Sequence, residues 1–90
     1  MQPSQSKVAT AAEIEQTVIR LAAEQAGVSA EQVTPASAFV QDLNFDSLDM
    51  VEYVMLVEEA FDVKISDDEA AEAKTVGDAA RLVRERLASV

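Results

Sequence analysis

Glycine and proline, the residues that most often interrupt helices, account for only four of the ninety residues of this chain. Alanine, which has the highest intrinsic helix propensity, occurs 16 times. An all-β domain needs many tight turns, and those turns draw on glycine and proline, so the composition favours helices. Ninety residues also suit one small domain rather than two. The sequence therefore predicts a single all-α domain.

The chain contains no cysteine and no histidine. This composition excludes disulfide bonds, thiol redox chemistry, zinc sites built from cysteine and histidine, and catalytic pairs of serine or cysteine with histidine. Most enzyme mechanisms are thereby removed. We expect a protein that is not an enzyme and that has no specific metal site.

Negative charge is concentrated in one third of the chain. The net charge is −10, and residues 42–72 contain eleven acidic residues and a single base, Lys64. The remaining 59 residues contain six acids and six bases, so they are neutral overall. The bases are dispersed, and we therefore expect no binding to nucleic acid or to anionic membranes. The concentrated acids favour a basic protein partner over a purely solubilising role.

No segment is suited to crossing a membrane. The longest uninterrupted apolar run, Tyr53–Val57, has five residues, and residues 1–10 lack the apolar centre of a signal peptide. We therefore expect a cytoplasmic protein without membrane insertion. Residues 1–8 contain Gln, Pro, Ser and Lys and are expected to form a flexible arm before a domain at residues 9–90.

The first helix is predicted from Thr10 to Ala26. Thr10 and Glu13 form an N-terminal capping pair, and Gly27 marks the C-terminal end. Four apolar residues share one face of this helix: Ile14, Val18, Leu21 and Ala22.

A long first loop follows at residues 28–44, and it is too long to lack structure in so small a domain. We expect a short turn after Ser29. The apolar residues expected to hold the loop against the helices are Val28, Val33, Phe39, Val40 and Leu43.

Three more helices are predicted over residues 47–61, 67–73 and 76–88. The third is short and begins with Ser66 or Asp67 as its N-cap. The apolar face of the last helix consists of Val76, Ala79, Ala80, Val83 and Leu87. Together these segments predict a small four-helix bundle with three longer helices, one short third helix and a long first loop.

The second helix carries apolar residues on two faces. With about 100° between successive residues, one group forms an ordinary core stripe: Met50, Tyr53, Val54, Val57 and Phe61. A nearly opposite arc, here called the outer arc, combines apolar and acidic residues: Leu48, Val51, Glu52, Met55, Glu58, Glu59 and Asp62. The outer arc either packs under the long loop or is an exposed docking surface for a basic partner. The pattern favours docking.

The junction before the second helix admits three interpretations. Asp42, Asn44 and Asp46 have the spacing of the first ligands of a calcium-binding loop. Ser47 and Tyr53, however, stand where that loop requires glycine and a bidentate glutamate. The calcium interpretation therefore lacks two obligatory residues.

The other two interpretations concern Ser47 itself. A nucleophilic Ser47 needs a base, and only Lys64 would be available, if folding brought it close. Alternatively, a chemical group is attached covalently to the Ser47 hydroxyl. With Asp46 as N-cap, Ser47 is the first helical residue, where a phosphodiester would lie near free backbone N–H groups at the positive end of the helix dipole.

Several segments together resemble the acyl carrier protein family, particularly the free-standing carriers of bacterial type II fatty acid synthases. The resemblance extends from Ile14 to Leu87. It is carried by Asp46-Ser47-Leu48-Asp49, by Val51-Glu52 and by residues 57–61, 65–70 and 75–78.

The resemblance implies that Ser47, flanked by Asp46 and Leu48, carries a phosphopantetheine arm. A phosphopantetheinyl transferase would attach this arm from coenzyme A. Its thiol would carry acyl groups as thioesters to synthases, reductases, dehydratases and acyltransferases with basic docking patches, in fatty acid or related biosynthesis. A monomer is expected. The alternative function is an unmodified acidic adaptor on the same fold.

The resemblance also implies a docking surface and an acyl-chain cavity. The docking residues would be Asp49, Val51, Glu52, Met55, Glu58, Glu59, Asp62, Asp67 and Glu69. The cavity residues would be Met50, Val54, Phe61 and Ala80.

Asn44 and Phe45 depart from the family pattern, which has glycine followed by a small or aliphatic residue before the Asp-Ser-Leu sequence. Asparagine tolerates positive φ better than most residues, so the turn can be kept. Phe45 resembles polyketide carrier modules at this position. Its bulk beside Ser47 predicts a specialised pathway or a distinct set of partners.

Overall fold

The computed structural model describes residues 10–88. Within this range the helices are α1 (Ala11–Ala26), a 3₁₀ helix (Ala30–Gln32), α2 (Ser47–Phe61), α3 (Asp67–Glu72) and α4 (Val76–Ala88). The predicted four-helix architecture is confirmed, including the short third helix, the long first loop and the turn after Ser29. None of these helices is long and apolar enough to cross a membrane. The predicted arm at residues 1–8 lies outside the described residues.

The N-termini of α1, α2 and α3 are each defined by a reciprocal capping box. The cap and its partner are Thr10 and Glu13 in α1, Asp46 and Asp49 in α2, and Ser66 and Glu69 in α3. Each box satisfies two backbone N–H groups that the helix start would leave unpaired. The boxes therefore place the start of α2 at Ser47 and make Ser66, rather than Asp67, the cap of α3.

The core lies where α1 packs against α2 and α4. All four residues of the predicted α1 stripe are buried. In α4, Val76, Ala79, Ala80 and Val83 are buried as predicted, and Leu87 is half-buried. α3 has no buried residue. The bundle therefore consists of three helices around the core, with α3 on its margin.

Three of the four aromatic residues form a cluster in the core: Phe39 of the long loop, Phe45 and Tyr53. Their ring centroids lie 5.1–5.8 Å apart, and all three are buried. The Tyr53 hydroxyl donates a hydrogen bond to the Val18 carbonyl oxygen at 3.0 Å. The cluster thereby joins the loop, α2 and α1.

The turn that leads into α2 confirms one expectation and determines where Phe45 lies. Asn44 adopts φ 60°, as expected for an asparagine in place of glycine. Phe45 is only 4% exposed and stacks on Phe39, so its bulk lies in the core rather than at the surface beside Ser47, and the specialised pathway or partner set stays a prediction. Because the turn directs Phe45 into the core, this residue is not available for contact with a partner.

The long loop is held by fewer of its apolar residues than expected. Val33, Phe39 and Leu43 are buried, but Val28 and Val40 are 40% and 64% exposed and do not hold the loop. Backbone hydrogen bonds to the start of α4 hold the loop instead. The Val76 N–H donates to the Ser37 carbonyl at 3.0 Å, and the Gly77 N–H donates to the Pro35 carbonyl at 2.8 Å.

Gly77 lies where this contact is closest. A Cβ atom at this position would lie 3.0 Å from the Pro35 carbonyl oxygen, the same atom that accepts the Gly77 N–H. The oxygen cannot retreat without losing that hydrogen bond. This close approach accounts for a glycine in the first turn of a helix.

Arg86 of α4 fastens α3 to the rest of the bundle. Its Nε donates to the Lys64 carbonyl oxygen at 3.0 Å, and its guanidinium pairs with the Glu69 carboxylate of α3. The Ser66 N–H, together with Arg86, holds the pKa of Glu69 below its ordinary value. α3 is thus attached by polar contacts at its N-terminal half.

We expect Tyr53→Phe to lower the free energy of unfolding by about 1 kcal/mol at pH 7, because the hydrogen bond to Val18 is lost while the ring packing is kept. Burial raises the pKa of Tyr53 above its ordinary value of 10.0. The neutral phenol is therefore favoured in the folded state, and its contribution is complete below about pH 10 and is lost as the pH rises further.

Urea unfolding of both proteins between pH 7 and the alkaline limit of folding tests this. The wild-type stability should fall more steeply at high pH than that of Tyr53→Phe, which shares every other titrating group. Tyr53 is the only tyrosine, so tyrosinate absorbance reports it alone. If Tyr53 ionised in the folded protein with its ordinary pKa of 10.0, the burial argument would be contradicted.

Candidate functional site

Ser47 is exposed at the first position of α2. The Asp46 Oδ1 atom accepts the Asp49 N–H at 2.9 Å, and the Asp49 Oδ2 atom accepts the Asp46 N–H at 3.1 Å. This box leaves the first N–H groups of α2 directed towards solvent at the positive end of its dipole. A phosphodiester on the Ser47 hydroxyl would lie beside these donors without entering the core.

The calcium interpretation finds no support in the geometry. The Asp42 carboxylate accepts the Ala38 N–H at 2.7 Å, whereas the Asp46 carboxylate caps α2. The two groups are therefore committed to different backbone donors. Across residues 10–88 there is no group of three or more Asp, Glu, His or Cys residues that could hold a metal ion.

Lys64 cannot act as a base for Ser47. α2 separates the two residues, and its 15 residues span about 22 Å. Lys64 follows the C-terminal end of that helix, whereas Ser47 begins it. The interpretation of Ser47 as a nucleophile activated by Lys64 is therefore wrong.

The apolar residues of the outer arc are exposed rather than packed under the long loop. Leu48, Val51 and Met55 are 64%, 56% and 53% exposed. Among the acids of the docking surface, Glu52, Glu59, Asp62 and Asp67 are also exposed. α2 therefore presents a continuous surface of aliphatic side chains bordered by carboxylates.

Three of the predicted docking acids make internal contacts as well. Asp49, Glu58 and Glu69 are half-buried. The Glu58 carboxylate accepts the Ile65 N–H at 2.8 Å and so closes the connection between α2 and α3. Glu69 caps α3 and pairs with Arg86. Glu58 and Glu69 therefore have structural roles that sequence analysis did not predict.

Gln25 of α1 was not predicted as a site residue, but it organises the first acids of α2. Its Nε2 atom donates to Asp49 Oδ1 at 3.0 Å and to Glu52 Oε1 at 2.8 Å. The pKa of Asp49 lies below its ordinary value, chiefly because of the Asp46 N–H and secondarily because of Gln25. No local pattern indicates this contact, since Gln25 lies 24 residues before Asp49.

An open groove of about 790 Å³ runs along α2 on the side of α3, with Ser47 among its lining residues. Its wall is mainly apolar and includes Met50 and Val54 of α2 and Ala70 and Ala71 of α3. Val51 and Met55 of the outer arc also line it, so the groove and the outer arc adjoin. A small internal cavity of about 20 Å³ shares Met50, Val54 and Ala70 with the groove. The apolar path therefore continues from the surface towards the core.

Two of the four predicted cavity residues line this apolar space. Met50 and Val54 line both the groove and the cavity, and both are half-buried because they face this space. Phe61 and Ala80 line neither. Phe61 is the last residue of α2, beyond the end of the groove at Glu58, and Ala80 is buried in the core.

Residues 16–83 match the family model described as the phosphopantetheine attachment site. The match spans Ser47, the groove and most of all four helices. The chain belongs to the acyl carrier protein family. Its cofactor is accordingly phosphopantetheine, and members of the family are carriers rather than catalysts.

Named relatives and a solved structure agree with this assignment. The acyl carrier proteins of Chlamydia trachomatis serovars D and A are each 44% identical to the carrier over 73 residues, which are 81% of this chain and 95% of each relative. A solved structure of acyl carrier protein from Enterococcus faecalis has a TM-score of 0.73 and 32% identity, covering 87% of this chain and 99% of that one.

The residues present fit the cofactor. Ser47 offers an exposed hydroxyl, the start of α2 offers backbone donors for a phosphodiester, and the groove next to Ser47 offers an apolar surface for the remainder of the arm and its cargo. When bound, phosphopantetheine supplies the thiol on which an acyl thioester forms. The carrier thus needs no cysteine of its own.

Met55→Ala and Val57→Ala form a matched pair on α2 that separates its exposed and buried faces. We expect Met55→Ala to change the free energy of unfolding by less than about 0.5 kcal/mol, because the side chain is largely solvated. Val57→Ala should cost about 2 kcal/mol, because Val57 is fully buried. Denaturant unfolding of both variants measures the difference; equal losses would assign Met55 to the core.

Proposed function

We propose that this protein carries acyl groups as thioesters on a phosphopantetheine arm esterified to the Ser47 hydroxyl. It delivers them to partner enzymes of fatty acid or related biosynthesis. The position of Ser47 carries the proposal. This residue is exposed at the start of α2 and lines the apolar groove, which shares Val51 and Met55 with the outer arc. An acyl group attached there can reach both a docked partner and the groove.

The groove supports a role in sheltering the acyl chain. From Ser47 to Glu58 its α2 wall is about 16 Å long. Met50 provides a flexible apolar side chain, while Ala70 and Ala73 leave space because their side chains are small. Each methylene removed from water there contributes about 0.8 kcal/mol. The carrier would thereby keep a long chain out of water between partners.

The outer arc supports a role in docking. Glu52 and Glu59 would attract a basic patch over a distance, and Met55 would make desolvated contact after encounter. Methionine adapts to surfaces of different shape, which suits several successive partners. These partners are the phosphopantetheinyl transferase that attaches the arm, followed by synthases, reductases, dehydratases and acyltransferases.

The carrier acts as a cosubstrate without catalytic residues of its own, as a monomer in the cytoplasm. The absence of histidine and cysteine supports the first point. The net charge of −10 supports the second, because it opposes association between copies. Docking acids such as Glu58, Glu59, Asp62, Asp67 and Glu69 extend this charge across α2 and α3.

Ser47→Ala should abolish attachment of the arm. The apo protein is incubated with coenzyme A and a phosphopantetheinyl transferase, and intact mass is measured. Wild type and the control Ser29→Ala, which also removes an exposed serine at a helix start, should each gain one phosphopantetheine. Equal labelling of Ser47→Ala would refute the site. A protein purified from its own cells without any arm would favour the acidic adaptor.

Glu59→Lys should slow transfer of the arm about tenfold at low salt, since a basic partner would then meet a like charge. The penalty should shrink above about 0.1 M salt, where screening is effective beyond about 10 Å. Glu31→Lys changes the net charge equally but lies outside residues 42–72, and should have little effect. Combining Glu59→Lys with Glu52→Lys should increase the penalty.

Transfer rates and thermal melts are measured on the same preparations. The melting temperature should hold or rise in Glu59→Lys, because the substitution relieves repulsion among the acids. Glu52→Lys relieves the same repulsion but also loses the hydrogen bond from Gln25 Nε2, so its melting temperature should rise less. If neither charge reversal changed the rate of arm transfer, the outer arc would not be part of the docking surface.

A further inference from the structure

One base lines the groove among many apolar residues. Of the described residues along its wall, Lys74 alone is basic, and it belongs to the connection between α3 and α4. Its side chain is exposed, and no ion pair of Lys74 is found within residues 10–88. The groove therefore contains an uncompensated positive charge in a strongly acidic region.

The backbone places Lys74 at the Ser47 end of the groove. The Lys74 carbonyl accepts the Phe39 N–H at 3.0 Å, and the Phe39 carbonyl accepts the Phe45 N–H at 2.9 Å. Ser47 follows Phe45 by two residues. Glu58 and Asp67, the acids of the groove, belong to the opposite end, where α2 ends and α3 begins.

The acid nearest in sequence does not neutralise Lys74. Asp78 accepts the backbone N–H groups of Lys74 and Thr75 through Oδ2, at 2.9 and 3.1 Å, and pairs with Arg81 through Oδ1 at 3.3 Å. The Asp78 carboxylate therefore already accepts two backbone N–H groups at the start of α4 and pairs with the Arg81 guanidinium. The Lys74 ammonium remains available to an anion in the groove.

We propose that the Lys74 ammonium pairs with the phosphodiester of the arm on Ser47 and so positions the arm along the groove between α2 and α3 rather than across the side of α2 that carries Glu52 and Glu59. This inference rests on the proposed attachment at Ser47. The phosphodiester adds a negative charge beside Asp46 and Asp49. A lysine on a flexible stem binds phosphate as a point charge.

The side of α2 that carries Glu52 and Glu59, which do not line the groove, offers no comparable attraction. An arm that crossed it would pass the Glu52 and Glu59 carboxylates, which repel the phosphodiester. Attraction on one side of α2 and repulsion on the other direct the arm towards the groove. Lys74 is therefore a positioning residue: it determines where the cargo rests and takes no part in the chemistry of the thioester.

Paramagnetic relaxation measures the direction of the arm. A nitroxide is attached to the arm thiol of the holo protein, and amide relaxation is compared between Ala70 and Ala71 in the groove and Glu52 and Glu59 on the outer arc. Wild type should favour the groove. Lys74→Gln should reduce the groove-to-arc ratio about fivefold, the population shift of one solvated charge pair at contact distance, while Lys74→Arg should preserve it.

Two controls separate positioning from folding. The Lys74 bonds to Phe39 and Asp78 use its backbone, so the apo variants should retain the wild-type melting temperature and amide spectrum. Salt should lower the wild-type ratio towards that of Lys74→Gln and leave the latter unchanged.

The outcomes distinguish the two proposals. If intact mass shows the arm on Ser47 and the ratio is the same in wild type and Lys74→Gln, the role of Lys74 is refuted and the carrier function stands. If the arm cannot be attached to Ser47, the carrier proposal and the inference from it both fall.

Discussion

The cluster of Phe39, Phe45 and Tyr53 is the interaction on which the rest of the structure depends. The bundle has few large side chains, and these three rings bring the long loop, the entry to α2 and α2 itself into one contact. The Tyr53 hydroxyl then connects this contact to α1. Because Phe45 is buried while Ser47 follows two residues later at the helix start, the same packing that closes the core leaves Ser47 at the surface.

The side chains of α2 consequently face three different environments. Tyr53 and Val57 face the core, Met50 and Val54 face the groove, and Leu48 faces solvent, while Met55 is exposed and also lines the open groove. Its acids follow the same division, since Glu58 closes the turn towards α3 whereas Glu59 is exposed. A helix with apolar residues on most of its circumference remains compatible with a small bundle, because carboxylates border its exposed apolar side.

Features that depend on neighbours in sequence were predictable. The cap at Asp46, the exposed start at Ser47 and the two faces of α2 each follow from a few adjacent residues and the helical repeat. Features that depend on distant segments were not. The burial of Phe45 requires knowledge of where Phe39 lies, and the contact of Gln25 with Asp49 joins two helices.

The groove illustrates the same limit. Its α2 wall was partly predicted from the helical repeat, through Met50 and Val54. Its opposite wall, including Lys74, is brought there by the path of the chain between α3 and α4. Phe61, expected at the cavity, lies beyond the end of the groove, because the helical repeat gives the direction of a side chain around the helix axis but not how far along that axis a neighbouring element extends.

The marginal position of α3 has a consequence for dynamics. This helix has six residues and no buried side chain, and its ties to α4 and to the preceding connection run through Arg86. Its free energy of local opening is therefore set by a few solvent-accessible polar contacts, well below that of the aromatic core. The α3 wall of the groove is therefore expected to open independently of the aromatic core. We therefore expect a larger occupant of the groove to displace α3 more readily than α2, whose buried face packs in the core.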